Sequence, residues 1–203
     1  MPCDPRGALP LLLLLAAGCG SAPTATQEPG PGRATSQPAR DPQSTIEPRS
    51  APGRGQVFLA QMVGDWTVHK TFHPRSGPAA ESSGECKQTM IHDGRFLRSE
   101  FVFTGETGRS TGTGIIGFEA DTGLFTSFWT DSRSTRMSIR QSQEPFSGDQ
   151  IVLHGRSLGT TEGRRSRTLT RMEGPDRIVH QQFGMAQDGS ERLVMELVLT
   201  RRK

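Results

Sequence analysis

The sequence contains no tyrosine, and among its 203 residues only three are cysteine and two are tryptophan. The absence of tyrosine excludes any mechanism that needs a phenolic hydroxyl. Aromatic residues are also missing from the first part of the chain, because residues 1–55 hold ten of the fourteen prolines but no Phe, Trp or His. Such a segment cannot bury enough apolar surface to offset its ordering entropy. We therefore expect one folded domain, over residues 56–203.

The only long apolar run lies near the N-terminus and ends at a cysteine. Arg6 precedes the run Leu11–Leu15, which is followed by small residues and Cys19. This pattern is typical of a secretory signal and is too short for a permanent membrane span, so residues 1–18 are predicted to be a signal peptide. The segment Leu15–Cys19 also resembles the bacterial lipobox, which implies cleavage before the cysteine and lipidation of its thiol. The alternative is an ordinary cleaved signal with an unmodified cysteine.

Residues 19–55 are predicted to be a lipidated cysteine followed by a disordered, proline-rich tether. Its root-mean-square reach is on the order of 30–40 Å. The anchor makes the membrane an expected partner and places the protein in the bacterial cell envelope. Gly20 after the cysteine favours the outer membrane, facing the periplasm, again by resemblance to lipoproteins. Cys86 then remains the single thiol, and we expect a small buried hydrophobic side chain rather than a disulfide.

The charge of the domain indicates no polyanionic partner. After residue 55 the chain contains nineteen Lys and Arg and seventeen Asp and Glu, and these charges are spread along its length. The basic blocks Arg164–Arg167 and Arg201–Lys203 are typical of solvated strand ends, so no nucleic acid is expected as a partner. We expect a monomer.

After a short apolar helical turn at Phe58–Val63, the pattern is of short alternating segments separated by turn residues. Asp93-Gly94 predicts a two-residue hairpin. Because every connection is short, neighbouring strands must be antiparallel, and closure of the sheet leaves no bare edge. The predicted fold is all-β: a closed antiparallel barrel with a short N-terminal helix and about ten strands, at 65–74, 82–92, 95–104, 109–119, 124–132, 135–143, 150–157, 165–173, 177–185 and 191–201.

The first and last strands are expected to pair at Trp66. Arg201 continues the apolar face of the last strand, formed by Leu193, Met195, Leu197 and Leu199. A guanidinium over an indole is a favourable contact, so Trp66 and Arg201 are predicted to form a structural clasp. The alternative is a core tryptophan with a solvated arginine. Three glycines in one strand indicate local bending, or a place where something approaches the backbone: Gly112, Gly114 and Gly117.

Several motifs carry a family resemblance. Gly64-Asp65-Trp66 resembles the Gly-x-Trp opening of lipocalins and the wider calycins. An ordered series resembles a bacterial family catalogued as domain of unknown function 1579, over about Leu59–Arg201: Gly94–Leu97, Gly114, Gly117–Phe118, Asp121–Thr122, Trp129–Ser132 and Ser134–Thr135. The resemblance implies a lipocalin-like barrel, often secreted, with no established activity. The last strand lacks the histidine that binds haem in the related nitrobindins, so no cofactor is expected.

The strand at Trp129 offers the best candidate site. Phe125, Ser127, Trp129 and Asp131 share one face by the period of two. If that face lines the lumen, the Asp131 carboxylate requires a partner, and the available donors are Arg95, Arg136 and His154. We therefore predict a ligand site formed by Arg95, Trp129, Asp131 and His154. The alternative is a structural ion pair that closes one end of the barrel.

The sequence gives little support for a catalytic site or a metal site. His69 and His73 lie about 13 Å apart on a strand, too far to share a metal, so no metal site is expected. Asp131, Ser132 and His154 supply the types of a nucleophilic triad, but adjacent residues on a strand point to opposite faces. The protein is expected not to be an enzyme.

The functional hypothesis is therefore a lipid-anchored envelope lipoprotein whose barrel binds a small, largely apolar ligand. Two alternatives remain open. One is an envelope hydrolase or isomerase that uses a polar end of the barrel, and the other is a non-binding structural or interaction module.

Overall fold

The computed structural model of the protein describes residues 50–105, 108–156, 165–186 and 188–203. The predicted signal peptide, Cys19 and nearly all of the predicted tether lie outside the described residues. Within the described ranges, no helix is both long enough and apolar enough to cross a membrane.

The domain is a closed antiparallel barrel, as predicted. Its ten strands run in the order β1-β10-β9-β8-β7-β6-β5-β4-β3-β2 around the barrel, so that each strand pairs with two neighbours. The elements are α1 (Arg54–Ala60), β1 (Gly64–Phe72), β2 (Ala80–Ile91), β3 (Phe96–Gly105), β4 (Gly108–Glu119), β5 (Leu124–Asp131), β6 (Ser134–Gln141), β7 (Gln150–Arg156), β8 (Arg165–Met172), β9 (Arg177–Met185) and β10 (Glu191–Arg201).

The connection between β2 and β3 is longer than predicted. Four residues, rather than the two of an Asp93-Gly94 hairpin, separate the last paired residues, Ile91 and Phe96. His92 and Asp93 have φ values of 52° and 55°, and Gly94 has 79°. Because three successive residues take left-handed conformations, the chain makes a wider turn than a two-residue loop allows.

Helix α1 closes one end of the barrel. It begins at Arg54, inside the segment predicted as tether, and buries Phe58 and Leu59 in the core. The Gln56 side chain donates a hydrogen bond from Nε2 to the Phe118 carbonyl oxygen at 2.7 Å. A Cβ at Gly55 would overlap the ring of that phenylalanine. The glycine therefore lets the helix lie directly on the end of the sheet.

The first and last strands pair where the sequence predicts. Trp66 and Arg201 are partners in the β1–β10 register, and the guanidinium carbon lies 4.2 Å from the centre of the indole ring. Trp66 is fully buried and donates from Nε1 to the Met62 carbonyl oxygen at 3.0 Å. Arg201 donates to the carbonyl oxygens of Val63 at 2.6 Å and Gln61 at 2.9 Å. One arginine thus joins the end of α1 to both closing strands.

The inner face of β10 differs from the prediction at one residue. The pairing of β10 with β9 shifts register between Leu193 and Met195. Val194, Met195 and Leu197 line the interior, whereas Leu193 does not. The β-bulge changes which face each side chain occupies, so strict alternation places Leu193 wrongly.

Cys86 is a free, buried thiol, which confirms the prediction of a small core residue. It pairs with Trp66 across β1 and β2. Burial raises the pKa of its thiol, so the residue is protonated and unreactive in the folded protein.

Candidate functional site

The barrel encloses a cavity of about 380 Å³. Its closed end is formed by Leu59 and Met62 at α1, and its other end lies at Phe72, where β1 ends. This volume is within the range of about 300–1,000 Å³ typical of small-ligand pockets. The apolar wall includes Leu97, Phe101, Phe103, Ile116, Trp129, Ile151, Leu153, Ile178, Leu197 and Leu199.

The predicted face of β5 is the lumenal face. Ser127, Trp129 and Asp131 line the cavity, and Phe125 is buried below it, 1% exposed. Two of the four predicted ligand-binding residues, Trp129 and Asp131, are therefore brought together in the lumen.

Glycines on β4 provide the surface on which the Trp129 indole lies. A Cβ at Gly112 would overlap the six-membered ring, and one at Gly114 would lie 3.2 Å from Cε3. The indole also packs edge-on against Phe101, with ring centres 5.5 Å apart. The expected close approach to the backbone of this strand is confirmed, and at Gly117 the neighbour is the ring of Phe96.

Asp131 has its own partners within the same hairpin. Its carboxylate accepts hydrogen bonds from Trp129 Nε1 at 3.0 Å, from the Arg133 backbone N–H at 2.9 Å and from the Arg133 guanidinium at 3.1 Å. Burial of the carboxyl acts to raise the pKa of Asp131, but the hydrogen bonds from Arg133 and Trp129 outweigh it, so the pKa is lowered. The carboxylate is ionised and satisfied without any of the predicted donors.

Arg95 and His154 require a correction, because neither lines the cavity among the described residues. Arg95 lies in the β2–β3 turn and donates to the carbonyl oxygens of His92 and Ser50, both at 3.3 Å. On β7 it is Leu153 that lines the lumen, so His154 points to the outer wall. Arg136 does not contact Asp131 either, since the partner is the adjacent Arg133.

The residue types of a catalytic triad are not brought together. Asp131 faces the lumen, Ser132 Oγ accepts a hydrogen bond from the Thr111 backbone N–H at 3.0 Å, and His154 lies on the outer wall. In the described part of the chain, no three His, Cys, Asp or Glu side chains are close enough to hold a metal ion.

The interior contains polar residues that sequence reasoning missed. The Lys70 ammonium lies 4.2 Å from the centre of the Phe103 ring. Burial, reinforced by the charge of Arg133, lowers the pKa of Lys70. Alternation from Trp66 and Val68 would have placed Lys70 on this inward face. It is a cation held against an aromatic wall.

Arg140 is the second missed cation. It lines the cavity, and burial lowers the pKa of its guanidinium. Its stem crosses Gly155, where an added Cβ would lie 2.9 Å from Arg140 Cγ. On β6 the usual pattern is inverted, because Ser138 and Arg140 face inward while Met137 and Ile139 are 54% and 46% exposed. The signal that could have revealed Arg140 is the pattern of this strand, with a polar inward face and an apolar outward face.

His180 lies on β9 beside this arginine. Its Nδ1 is 2.7 Å from Thr170 Oγ1, and the residue lines the cavity. Burial, with a smaller contribution from the charge of Arg140, lowers the pKa of His180 to about 4. The imidazole is therefore neutral at pH 7 and serves as a hydrogen-bonding group in the lumen.

This shift predicts acid sensitivity. Because the pKa of His180 is about 4 in the folded protein and about 6.5 in the unfolded chain, the unfolded chain binds the proton first as pH falls. The contribution to stability is complete above pH 6.5 and is lost between pH 6.5 and 4. Lowering the pH from 7 to 5 should cost the wild type about 2 kcal/mol more than His180→Gln, measured by urea unfolding. Identical curves for His180→Gln and wild type would contradict the assignment.

Two solved structures share this fold at low sequence identity. The S-type phycobiliprotein lyase CPES from Guillardia theta is 15% identical, with 79% of this chain and 97% of that chain covered and a TM-score of 0.50. Rv2717c from M. tuberculosis is 16% identical, with 76% and 100% covered and a TM-score of 0.55. At these identities the likeness shows the barrel fold alone. A search of curated proteins found no match to the chain.

The family resemblance expected from the motifs is confirmed by a family model. The match extends over residues 51–201, which is the whole of α1 and the barrel. The chain therefore belongs to the family described as protein of unknown function (DUF1579).

Proposed function

We propose that this protein is a lipid-anchored envelope module whose barrel binds a small, largely apolar ligand. The observation that carries the proposal is the cavity of about 380 Å³ inside the sheet, with walls of aromatic and aliphatic side chains. A well-packed barrel of this size could fill its interior with side chains, so a retained cavity costs stability and favours an occupant.

The arrangement of the walls supports binding rather than catalysis. Phe101, Trp129 and Leu153 offer apolar surface, while the few polar side chains, such as Thr170 and His180, lie among them and can orient a ligand. A small number of placed polar groups in an apolar cavity is typical of small-molecule sites. The Asp131 carboxylate already has three hydrogen bonds, so it is not a free acid or base for a reaction.

The location of the protein in the cell envelope is part of the same proposal. Acyl chains on Cys19 would hold the protein at the outer membrane, and the tether between Cys19 and α1 would let the barrel stand in the periplasm. A binding barrel on such a tether can receive molecules that are present in the envelope.

Native mass spectrometry of the full-length protein, purified from envelope membranes of its own host, tests both parts. The denatured mass should correspond to a chain that begins at Cys19 and carries acyl groups, and the native mass should include one retained small molecule. Leu153→Trp places an indole in the lumen and should abolish the retained mass. Val152→Trp, on the outer wall of the same strand, should leave it unchanged. A barrel that is empty in every preparation, or a ligand retained by Leu153→Trp, would overturn the binding proposal, and an unmodified cysteine would overturn the anchor.

A further inference from the structure

The end of the barrel opposite α1, which we call the mouth, is lined by arginine. A second cavity of about 800 Å³ lies there, and it shares with the first the residues Phe72, Ser138, Arg140, Gln182 and Val194. Its lining holds five arginines and not one Asp or Glu among the described residues. The arginines come from three strands and one connection: Arg75, Arg136, Arg140, Arg165 and Arg192. A mouth of single charge sign concentrates ions of the opposite sign.

Strand β6 borders the second cavity. Strands β6 and β7 pair at only two positions in the described ranges, Arg140 with Gly155 and Gln141 with His154. Side chains of β6 line the second cavity along the stretch from Arg136 to Arg140. The apolar Met137 and Ile139 are exposed there. Arg140 lines both cavities and therefore lies at the passage from the second to the first.

Arg140 stands where the two cavities meet. Within the described ranges no carboxylate lies in ion-pair distance of its guanidinium, and its Nε is buried without a hydrogen-bond partner. The acidic side chain of the lumen, Asp131, is occupied by Arg133 and Trp129. A half-buried guanidinium without a counterion is unfavourable, and an entering anion would supply both charge and hydrogen-bond acceptors.

We propose that the ligand is an amphipathic anion, with its acidic group at Arg140 and its apolar body against the wall formed by Trp129, Phe101 and Leu153. The inference rests on the proposed binding function and names the chemistry of the ligand: a carboxylate, sulfonate or phosphate monoester on an apolar body. The planar guanidinium suits two parallel hydrogen bonds to any of these groups. The other arginines of the mouth attract the anion without selecting its body.

A matched pair of fluorescent probes separates the charge from the apolar body. 8-Anilinonaphthalene-1-sulfonate and N-phenyl-1-naphthylamine share the same two aromatic systems, and only the first has a sulfonate. Titration of the full-length wild type should show at least tenfold tighter binding of the sulfonate. Arg140→Gln should remove that preference and leave the affinity for the neutral probe within twofold, while Arg140→Lys should retain part of it. Arg171→Gln removes an equal charge outside both cavities and should change neither affinity.

The outcomes distinguish the two proposals. Failure of both probes to bind the wild type overturns the binding function and this inference together. Binding of both probes without preference for the sulfonate, or a preference that survives Arg140→Gln, overturns the inference alone. If Arg140→Gln loses affinity for both probes equally and Arg140→Lys loses none, Arg140 has a structural role, and this result also rejects the inference. Displacement of the sulfonate probe by decanoate, decyl phosphate and decanol identifies the acid, and equal displacement by the alcohol counts against a charged ligand.

Discussion

Replacing Trp66 with alanine is expected to lower the free energy of unfolding by about 3–5 kcal/mol. The side chain is fully buried, so truncation removes its apolar contacts and leaves a cavity beside the closing strands. The Met62 carbonyl oxygen loses its donor, and the Arg201 guanidinium loses the aromatic face on which it lies. Urea unfolding of the variant measures the change.

Two further variants show whether the loss of stability comes from the contact between β1 and β10 at Trp66. Trp66→Phe keeps part of the buried surface and should cost less than half as much. Phe72→Ala also truncates an aromatic residue of β1, but its side chain is 43% exposed, and we expect a loss of about 1 kcal/mol. A double-mutant cycle with Arg201→Met should give a coupling of about 0.5–2 kcal/mol between the guanidinium and the indole. An equal loss in Trp66→Ala and Phe72→Ala would show that the pairing of β1 with β10 does not depend on the tryptophan.

The architecture follows from local signals that the sequence carries in full. Strands end at turn residues such as Gly123 and Gly174, whose φ values of 73° and 82° other residues rarely adopt. Short connections impose antiparallel pairing, and closure is the remaining way to protect the edges. Those arguments use only neighbouring residues, which is why all ten strands end within two residues of the predicted C-terminal ends.

The candidate site could be predicted only in part, because its geometry depends on contacts between distant strands. The lumenal position of Trp129 and Asp131 follows from alternation on β5. The partner of Asp131 does not follow from alternation. It is Arg133, in the turn after β5, whose side chain folds back over the carboxylate. The inward position of Arg140 is opposite to hydrophobic patterning and is fixed by the pairing of Ser138 with Trp129. The prediction for His154 is wrong because the apolar residues of β7 take the inner face, which leaves His154 on the outer wall.

Gly112→Ala is expected to destabilise the protein by about 3 kcal/mol, at the upper end of the usual cost of overpacking. The new methyl group would overlap the indole of Trp129, which is also held by Phe101 and by its hydrogen bond to Asp131. The indole must therefore leave the surface of β4 and move into the lumen. Thermal or urea unfolding measures the loss, and the neutral naphthylamine probe should bind more weakly because the cavity is smaller.

The neighbouring strand provides the matched control for this substitution. Among the described residues, a Cβ at Gly105 on β3 would meet only the Ser82 Cβ, at 3.9 Å, so Gly105→Ala should be neutral or stabilise by up to about 1 kcal/mol through the unfolded state. Removing the indole should relieve the overlap, so Gly112→Ala should cost much less in a Trp129→Leu background than in the wild type. The same cost in both backgrounds would show that backbone strain, rather than the indole, requires glycine at this position. In that case Trp129 would not be fixed by β4, and the aromatic wall of the ligand cavity would lose its support.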